Sequence, residues 1–366
     1  MVGTLLCALS AFSVQTAPIR SPEVHADDTV TFRLRMPNAK KVQVAVEGKA
    51  KLYEMTMDAD HVWSVTTDAL SPAYYGYTFF ADGEACLDIL NPMRKPNLIW
   101  QSNMFLIPGN PPEPWEVRDV PHGVVRHVFY KSAIVGDNRD YFVYTPPSYE
   151  KGRHFPVLYL LHGYSDSAEG WTTVGMANVI MDNLIADGKI KPMVVVMPLG
   201  YGVTDFARPG SRAFRDVNRT AANFTNFEKA LLTEVIPQVE SNYKVSRKPK
   251  DRAIAGLSMG GAESLLVGLN HVDEFGYIGA FSAGGLSEQF ASEFAKLNAA
   301  DANRDLKNLF ISCGTEDGLI GFNRRLKEFL KGQGVSFEDV ETPGMHEWPV
   351  WRKNLVAFSE ELFNSK

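Results

Sequence analysis

The stretch that decides the fold runs Lys250-Asp251-Arg252-Ala253-Ile254-Ala255-Gly256-Leu257-Ser258-Met259-Gly260-Gly261-Ala262-Glu263-Ser264-Leu265-Leu266-Val267-Gly268-Leu269. A short apolar run up to Ala255 reads as a strand, and the residues from Gly261 to Leu269 read as a helix. Between them stands Gly-x-Ser-x-Gly. In that context the pentapeptide predicts a sharp strand-to-helix turn that lifts the Ser258 hydroxyl above the end of a sheet. Gly256 and Gly260 are required because a side chain at either would collide with the tightly folded backbone. The same turn aims the Met259 amide from the helix N-terminus, where it can stabilise an oxyanion.

Outward from this turn, residues 123–366 alternate apolar strand patterns with helical ones. Val124–Tyr130 and Tyr141–Thr145 read as an opening antiparallel hairpin. Val157–Leu161, Met193–Met197, Ala253–Ala255, Tyr277–Phe281, Leu309–Cys313 and Phe337–Val340 follow. These runs are almost continuously apolar, as strands covered on both faces must be. Helical patterns at Met176–Asp187, Asn226–Asn242, Met259–Leu269, Asn323–Gln333 and Val350–Phe363 separate them. The alternation predicts an α/β fold with a doubly wound, mostly parallel sheet, whose functional groups sit at the strands' carboxyl ends.

Residues 18–108 read differently. Thr29–Arg35, Val42–Val46, Val62–Val65 and Tyr74–Phe80 are short β patterns separated by turn residues, with no helical pattern among them. This predicts a smaller all-β, immunoglobulin-like sandwich preceding the α/β domain. Residues 109–122, with Pro111-Pro112-Glu113-Pro114, read as a proline-stiffened linker. Residues 1–17 carry the apolar stretch Leu5–Phe12 followed by small residues, but no basic residue precedes Arg20. They are read as a secretory leader lacking its basic start, which predicts a secreted or periplasmic protein.

The chain has 366 residues, 45% hydrophobic and 22% charged, with a formal net charge of -6. The acidic balance argues against nucleic acid and anionic membrane as partners, and no apolar run reaches membrane-spanning length. Three cysteines give no disulfide framework. No Cys/His cluster has zinc-ligand spacing, so no metal and no cofactor are expected.

A serine nucleophile needs a base, and in this kind of fold the acid and then the histidine follow it in the chain. Of eight histidines, His346 alone lies beyond the acid candidates, in the loop Pro343–Trp348. The strand Leu309–Cys313 ends in Gly314-Thr315-Glu316-Asp317-Gly318, where Glu316 and Asp317 compete to orient His346. Asp317 is favoured, because aspartate is the commoner partner and Gly318 eases the turn. A second oxyanion donor is expected after an early strand, and Leu160-Leu161-His162-Gly163-Tyr164 assigns it to the Tyr164 amide beside that of Met259. His162 is read as structural, hydrogen-bonding within that loop.

Together these residues resemble the esterase D-like α/β-hydrolases, and more narrowly carbohydrate esterase family 1, the feruloyl and acetylxylan esterases. The likeness spans residues 124–363 and rests on five motifs. They are Tyr159–Gly163, the segment Ala177–Ile185, Ile254–Gly261, Cys313–Phe322, and Gly344–Trp348 with Trp351. The resemblance implies a Ser258–His346–Asp317 triad, since the family's triad aspartate stands in Gly-Thr-x-Asp. The N-terminal segment resembles the immunoglobulin-like, glycogen-binding-related module often fused before such esterases, through Ser21–His25 and Asp88–Pro92. That likeness makes Trp63 and Trp100 candidates for sugar stacking, against packing in a core or interface.

The expected substrate is a polysaccharide-linked or small phenolic ester, such as a feruloyl ester of arabinoxylan. Trp171, Phe322 and Trp348 are the expected aromatic wall for its acyl group, with Trp351 assigned to the core. The segment Gly200–Phe224, carrying Arg208, Arg212, Arg215 and Arg219, reads as a loop over the cleft or a solvated surface. An acetylxylan or enterochelin-type siderophore esterase is the alternative within the same chemistry. A non-catalytic glycan-binding protein is the alternative outside it.

Overall fold

The computed structural model describes residues 18–152 and 154–363. The leader read at 1–17 lies outside the described residues.

The strand Val157–Leu161 shows why the α/β part forms. Tyr159 and Leu161 enter one buried cluster, while Leu158 and Leu160 enter another on the opposite side. Every side chain of the strand is thus removed from water, as the continuous apolar run requires. The same division places Ile254 on one face and Ala253 and Ala255 on the other.

The resulting eight-stranded sheet has the order Val124–Lys131, Asn138–Thr145, Val194–Pro198, Val157–Leu161, Arg252–Leu257, Tyr277–Phe281, Asn308–Gly314, Glu338–Thr342. The first two strands form the expected antiparallel hairpin, and the strands from Val194–Pro198 onward run parallel. Leu161 pairs with Gly256 and Leu257 with Phe281, so neighbouring strands end at nearly one level. That register brings the loops beginning at His162, Ser258, Ser282 and Thr315 to one rim.

Residues before 108 form two smaller sheets, one of four strands and one of six. Their shared core contains Val30, Phe32, Val44, Tyr77, Phe79 and Phe105. Trp63 belongs to this core, 8% exposed with its indole N–H donated to the Met36 carbonyl at 2.9 Å. It is not available to stack on a sugar. Trp100 is 69% exposed.

The segment 109–122 departs from a simple linker. Trp115 is buried with residues of the α/β part, and the Asn183 amide group donates to the carbonyls of Pro114 and Glu116 at 2.8 Å each. It is a strap docked on the α/β part, because an indole of that size is driven out of water whatever prolines surround it.

The two parts also share a core: Tyr74 and Met104 of the sandwich join the cluster that holds Trp348 and Phe358. At the seam, Arg352 is 1% exposed. Its guanidinium donates to the Tyr74 carbonyl at 2.9 Å and to Val174 O at 2.8 and 3.1 Å. Burial lowers its pKa to about 10, still leaving it a cation at neutral pH.

The segment Gly200–Phe224 is ordered into a 3-10 turn, Ala213–Arg215, and the start of a helix, Val217–Ala230. Asp216 caps that helix by accepting from the Asn218 and Arg219 amides. The helix therefore begins nine residues before the periodic pattern at Asn226 predicts.

Candidate active site

Ser258 occupies the turn with φ 52° and ψ -114°, a conformation that non-glycine residues rarely adopt. Its amide donates to Phe281 O at 2.8 Å, and its carbonyl accepts from Gly284 N at 3.1 Å. A Cβ at Gly256 would lie 2.5 Å from Gly260 O, and one at Gly260 would lie 2.5 Å from His162 O. Both glycines are therefore dictated by close backbone approach.

His346 joins Ser258 to Asp317. Nε2 is 2.9 Å from Ser258 Oγ, and Nδ1 is 2.8 Å from Asp317 Oδ2. Asp317 is 2% exposed, and its Oδ1 accepts from the Leu319 amide at 2.7 Å. Burial presses this carboxyl's pKa upward. The hydrogen bond and charge of His346, the Leu319 amide and the Ser282 hydroxyl outweigh it, and the net pKa lies below the ordinary aspartate value. An ionised Asp317 accepts a hydrogen bond from Nδ1–H, which leaves the Nε2 lone pair to receive a proton from the serine hydroxyl. Glu316, the competing acid, is exposed at the rim.

Ser282 carries a second strained turn on the neighbouring strand, with φ 51° and no exposure. Its hydroxyl accepts from the Trp351 indole N–H at 3.1 Å while contacting Asp317. Sequence reasoning passed over it. The available signal was a small polar residue directly after the strand Tyr277–Phe281, in the position Ser258 takes one strand away.

The His162 loop lies against Ser258. A Cβ at Gly163 would come within 3.3 Å of Ser258 Cβ and 2.6 Å of Leu257 Cδ1. Tyr164 follows at once. His162 is 1% exposed; its Nδ1–H donates to Gly163 O at 2.8 Å and its Nε2 accepts from Gly200 N at 2.9 Å. Burial lowers its pKa to about 4, so it is neutral and holds the loop's shape. Met259 is fully buried as the first residue of the helix Met259–Asn270, where an amide has no partner within its own helix.

The aromatic wall is corrected by the structure. Trp171 is fully buried and donates its indole N–H to Leu161 O at 2.8 Å. Trp348 is 2% exposed, perpendicular to Trp171 at 5.1 Å and to Trp351 at 5.5 Å between ring centroids. Trp351 in turn meets His346 edge-on at 4.9 Å. The three indoles are a buried buttress under His346, because rings of this area pack between layers when neighbouring core is available. Phe322, half-buried, turns onto Phe290 at 5.6 Å and packs against the core cluster. The aromatic surface beside the site is instead Tyr164, packed on Phe214 at 4.6 Å and on Phe206 at 5.9 Å. Phe214 is 37% exposed. It lies in the segment that lacked periodicity, so no pattern pointed to it.

Among the described residues no group of His, Cys, Asp and Glu is arranged to hold a metal ion. No helix among them is long and apolar enough to cross a membrane.

Residues 132–362 match the family model Esterase, described as "Putative esterase". An endo-1,4-beta-xylanase/feruloyl esterase of Xylanibacter ruminicola is 33% identical over 351 residues, which is 93% of this chain and 46% of that protein. The chain thus spans less than half of that relative. The fold is similar to that of a CE1 ferulic acid esterase from Anaeromyces mucronatus in complex with ferulic acid. The TM-score is 0.60 at 23% identity, over 71% of this chain and 98% of that one. It is also similar to the enterobactin esterase of Shigella flexneri, with a TM-score of 0.70 at 20% identity over 92% of each chain.

Proposed function

We propose, from the premise that this chain belongs to the esterase family, that it is a serine esterase releasing hydroxycinnamic acids such as ferulate from plant cell-wall polysaccharide. The observation that carries the reading is the continuous path Ser258 Oγ–His346–Asp317, with hydrogen bonds of 2.9 and 2.8 Å. The acyl group follows the Xylanibacter relative, which aligns over nearly the whole chain. A cell-wall substrate is met outside the cell or in the periplasm, in keeping with the apolar stretch Leu5–Phe12.

In this reading Ser258 Oγ attacks the ester carbonyl carbon while His346 Nε2 takes the hydroxyl proton. Asp317 stabilises the imidazolium so formed. The amides of Met259 and Tyr164 receive the developing oxyanion, a contribution worth about 10²–10³ in rate per donor. The carbonyl re-forms as the bond between the acyl carbon and the sugar oxygen breaks, and His346 gives its proton to that departing oxygen. A water molecule, deprotonated by His346, attacks the acyl-enzyme and frees the acid and Ser258.

The test is kcat/KM of wild type and Ser258→Ala on methyl ferulate, acetylated xylan and ferric enterobactin. Wild type is expected to favour methyl ferulate, and Ser258→Ala to lose about 10⁴–10⁶ in kcat with an unchanged circular dichroism spectrum. Preference for acetylated xylan or ferric enterobactin would transfer the acyl assignment while leaving the serine in place. Retained hydrolysis in Ser258→Ala would discard the triad, and no hydrolysis of any of the three esters by wild type would leave the non-catalytic glycan-binding protein.

A further inference from the structure

The loop His162–Asp166 is held from two directions. From within the hydrolase, His162 fixes Gly163 O, and the Tyr201 hydroxyl donates to Asp166 O at 2.7 Å. From outside, the sandwich segment Asn97–Trp100 closes on it. The Asn97 side-chain NH₂ donates to Ser165 Oγ at 2.9 Å and to Asp166 Oδ1 at 3.0 Å. The Leu98 amide donates to Ser165 O at 2.8 Å.

The orientation of Asn97 is fixed by its own turn. Its side-chain oxygen accepts from the Ile99 and Trp100 amides, both at 2.9 Å, so its NH₂ is left facing the hydrolase. What it grips needs holding. Ser165 has φ 72°, a left-handed conformation that a non-glycine residue keeps only where its surroundings impose it. The Asp166 carboxyl is 6% exposed, and its amide returns to Gly163 O at 3.2 Å. Tyr164 therefore sits between Gly163, fixed by the hydrolase, and Ser165, fixed by the sandwich.

We propose that Asn97 is a positioning residue for the reaction: the sandwich sets the direction of the Tyr164 amide through Asn97, Ser165 and Asp166. The proposal rests on the esterase reading, in which that amide receives the oxyanion. It gives the sandwich a part in turnover of small esters, distinct from holding a polymer. An amide displaced by a fraction of its hydrogen-bond length stabilises the transition state less but leaves ground-state binding alone, so kcat carries the effect.

The experiment uses the full chain with methyl ferulate and p-nitrophenyl acetate, reading kcat, KM and melting temperature. Asn97→Asp keeps the acceptor for Ile99 and Trp100 but removes the donor and opposes Asp166 with a second carboxyl. The double variant Asn97→Asp/Asp166→Asn restores one hydrogen bond with donor and acceptor exchanged. Asn97→Asp is expected to lower kcat about tenfold to a hundredfold on both esters with KM within about twofold. The double variant is expected to recover most of that loss. If Asn97→Asp yields no folded protein, Asn97→Ala removes the same donor without adding charge and is read by the same measure. Two results overturn the inference. One is a kcat within about twofold of wild type whatever the melting temperature. The other is a double variant that regains melting temperature but not kcat. Ser258→Ala, measured alongside, separates the two levels. If it is inactive while Asn97→Asp is normal, only the positioning role falls; if it is active, the esterase reading falls.

Discussion

Glu47 of the sandwich accepts the amide hydrogen of Trp348, two residues beyond His346, at 3.2 Å. The same carboxylate accepts from Gly76 N at 2.8 Å and pairs with Lys95 Nζ at 2.7 Å. Burial works against its ionisation, but Lys95, Arg352 and the Gly76 amide prevail and hold its pKa below the ordinary value. Glu47 is thus an ionised cap on the first turn of the helix Trp348–Glu361, where the helix dipole favours a negative charge. The loop carrying His346 is anchored, through Trp348, by a group 301 residues earlier in the chain.

Because Trp348 is a buttress, Trp348→Ala is expected to act on stability. Removing a buried indole costs about 3–5 kcal/mol. Urea denaturation should show that loss, with kcat/KM changing by similar factors on methyl ferulate and p-nitrophenyl acetate. A defect confined to the ferulate ester, at an unaltered denaturation midpoint, would return Trp348 to an acyl pocket.

Asp317→Asn is expected to cut kcat by about 10⁴, because an amide at this place favours the wrong imidazole tautomer. Glu316 is exposed and has no bond to His346, so Glu316→Gln should stay within about twofold of wild type. Steady-state kinetics on p-nitrophenyl acetate compare them. Equal losses would mean that both carboxyls share the role.

The buried ionisable groups around the His162 loop predict a particular pH dependence of stability. Burial raises the Asp166 pKa to about 7, so between its unfolded value and about 7 the native state binds more protons than the unfolded one. Stability from this group therefore declines as pH rises through that window. Glu263, whose carboxyl oxygens have no hydrogen-bond partner among the described residues, is raised by burial and acts with the same sign. His162, lowered to about 4, has the opposite sign: its unfolded form takes up protons first, so stability is lost as pH falls below the ordinary histidine range. Asp166→Asn removes one declining contribution. Its melting temperature minus that of wild type should grow from about pH 4 to about pH 7 and then level off. A difference that shrinks across this range would contradict the assignment.

What was legible in the chain divides along physical lines. The parallel strands were readable because burial on both faces leaves an unbroken apolar run, and Val157–Leu161 and Tyr277–Phe281 appear with the expected bounds. Ser258 was readable because two backbone contacts under 3 Å forbid any side chain at Gly256 and Gly260. The direction of a tryptophan was not. Trp171 and Trp348 stand next to loops that reach the site, but a residue at a helix start can face either the opening or the layer beneath. Contacts formed after folding decide which. Asn97 was invisible for a related reason: its partners lie 68 and 69 residues away, and nothing local marks an asparagine turn that will meet another part of the molecule. The early start of the helix at Val217 was missed because its first turns are polar, and only the Asp216 cap announces it.

Arg352 carries one more consequence. A guanidinium sealed from water must find its acceptors in the protein, and one of them is a main-chain carbonyl supplied by Tyr74. A carbonyl belongs to every residue type, so no sequence change at position 74 removes that acceptor, whereas losing the whole sandwich removes it outright. Gene fusion that brought another β-domain to this hydrolase would leave one arm of that guanidinium without its carbonyl, Val174 O keeping the other bonds, unless the newcomer offered an oxygen at the same point. A β-domain at this seam thus answers to one demand of position, an oxygen for the Arg352 guanidinium, and not to a demand on residue type.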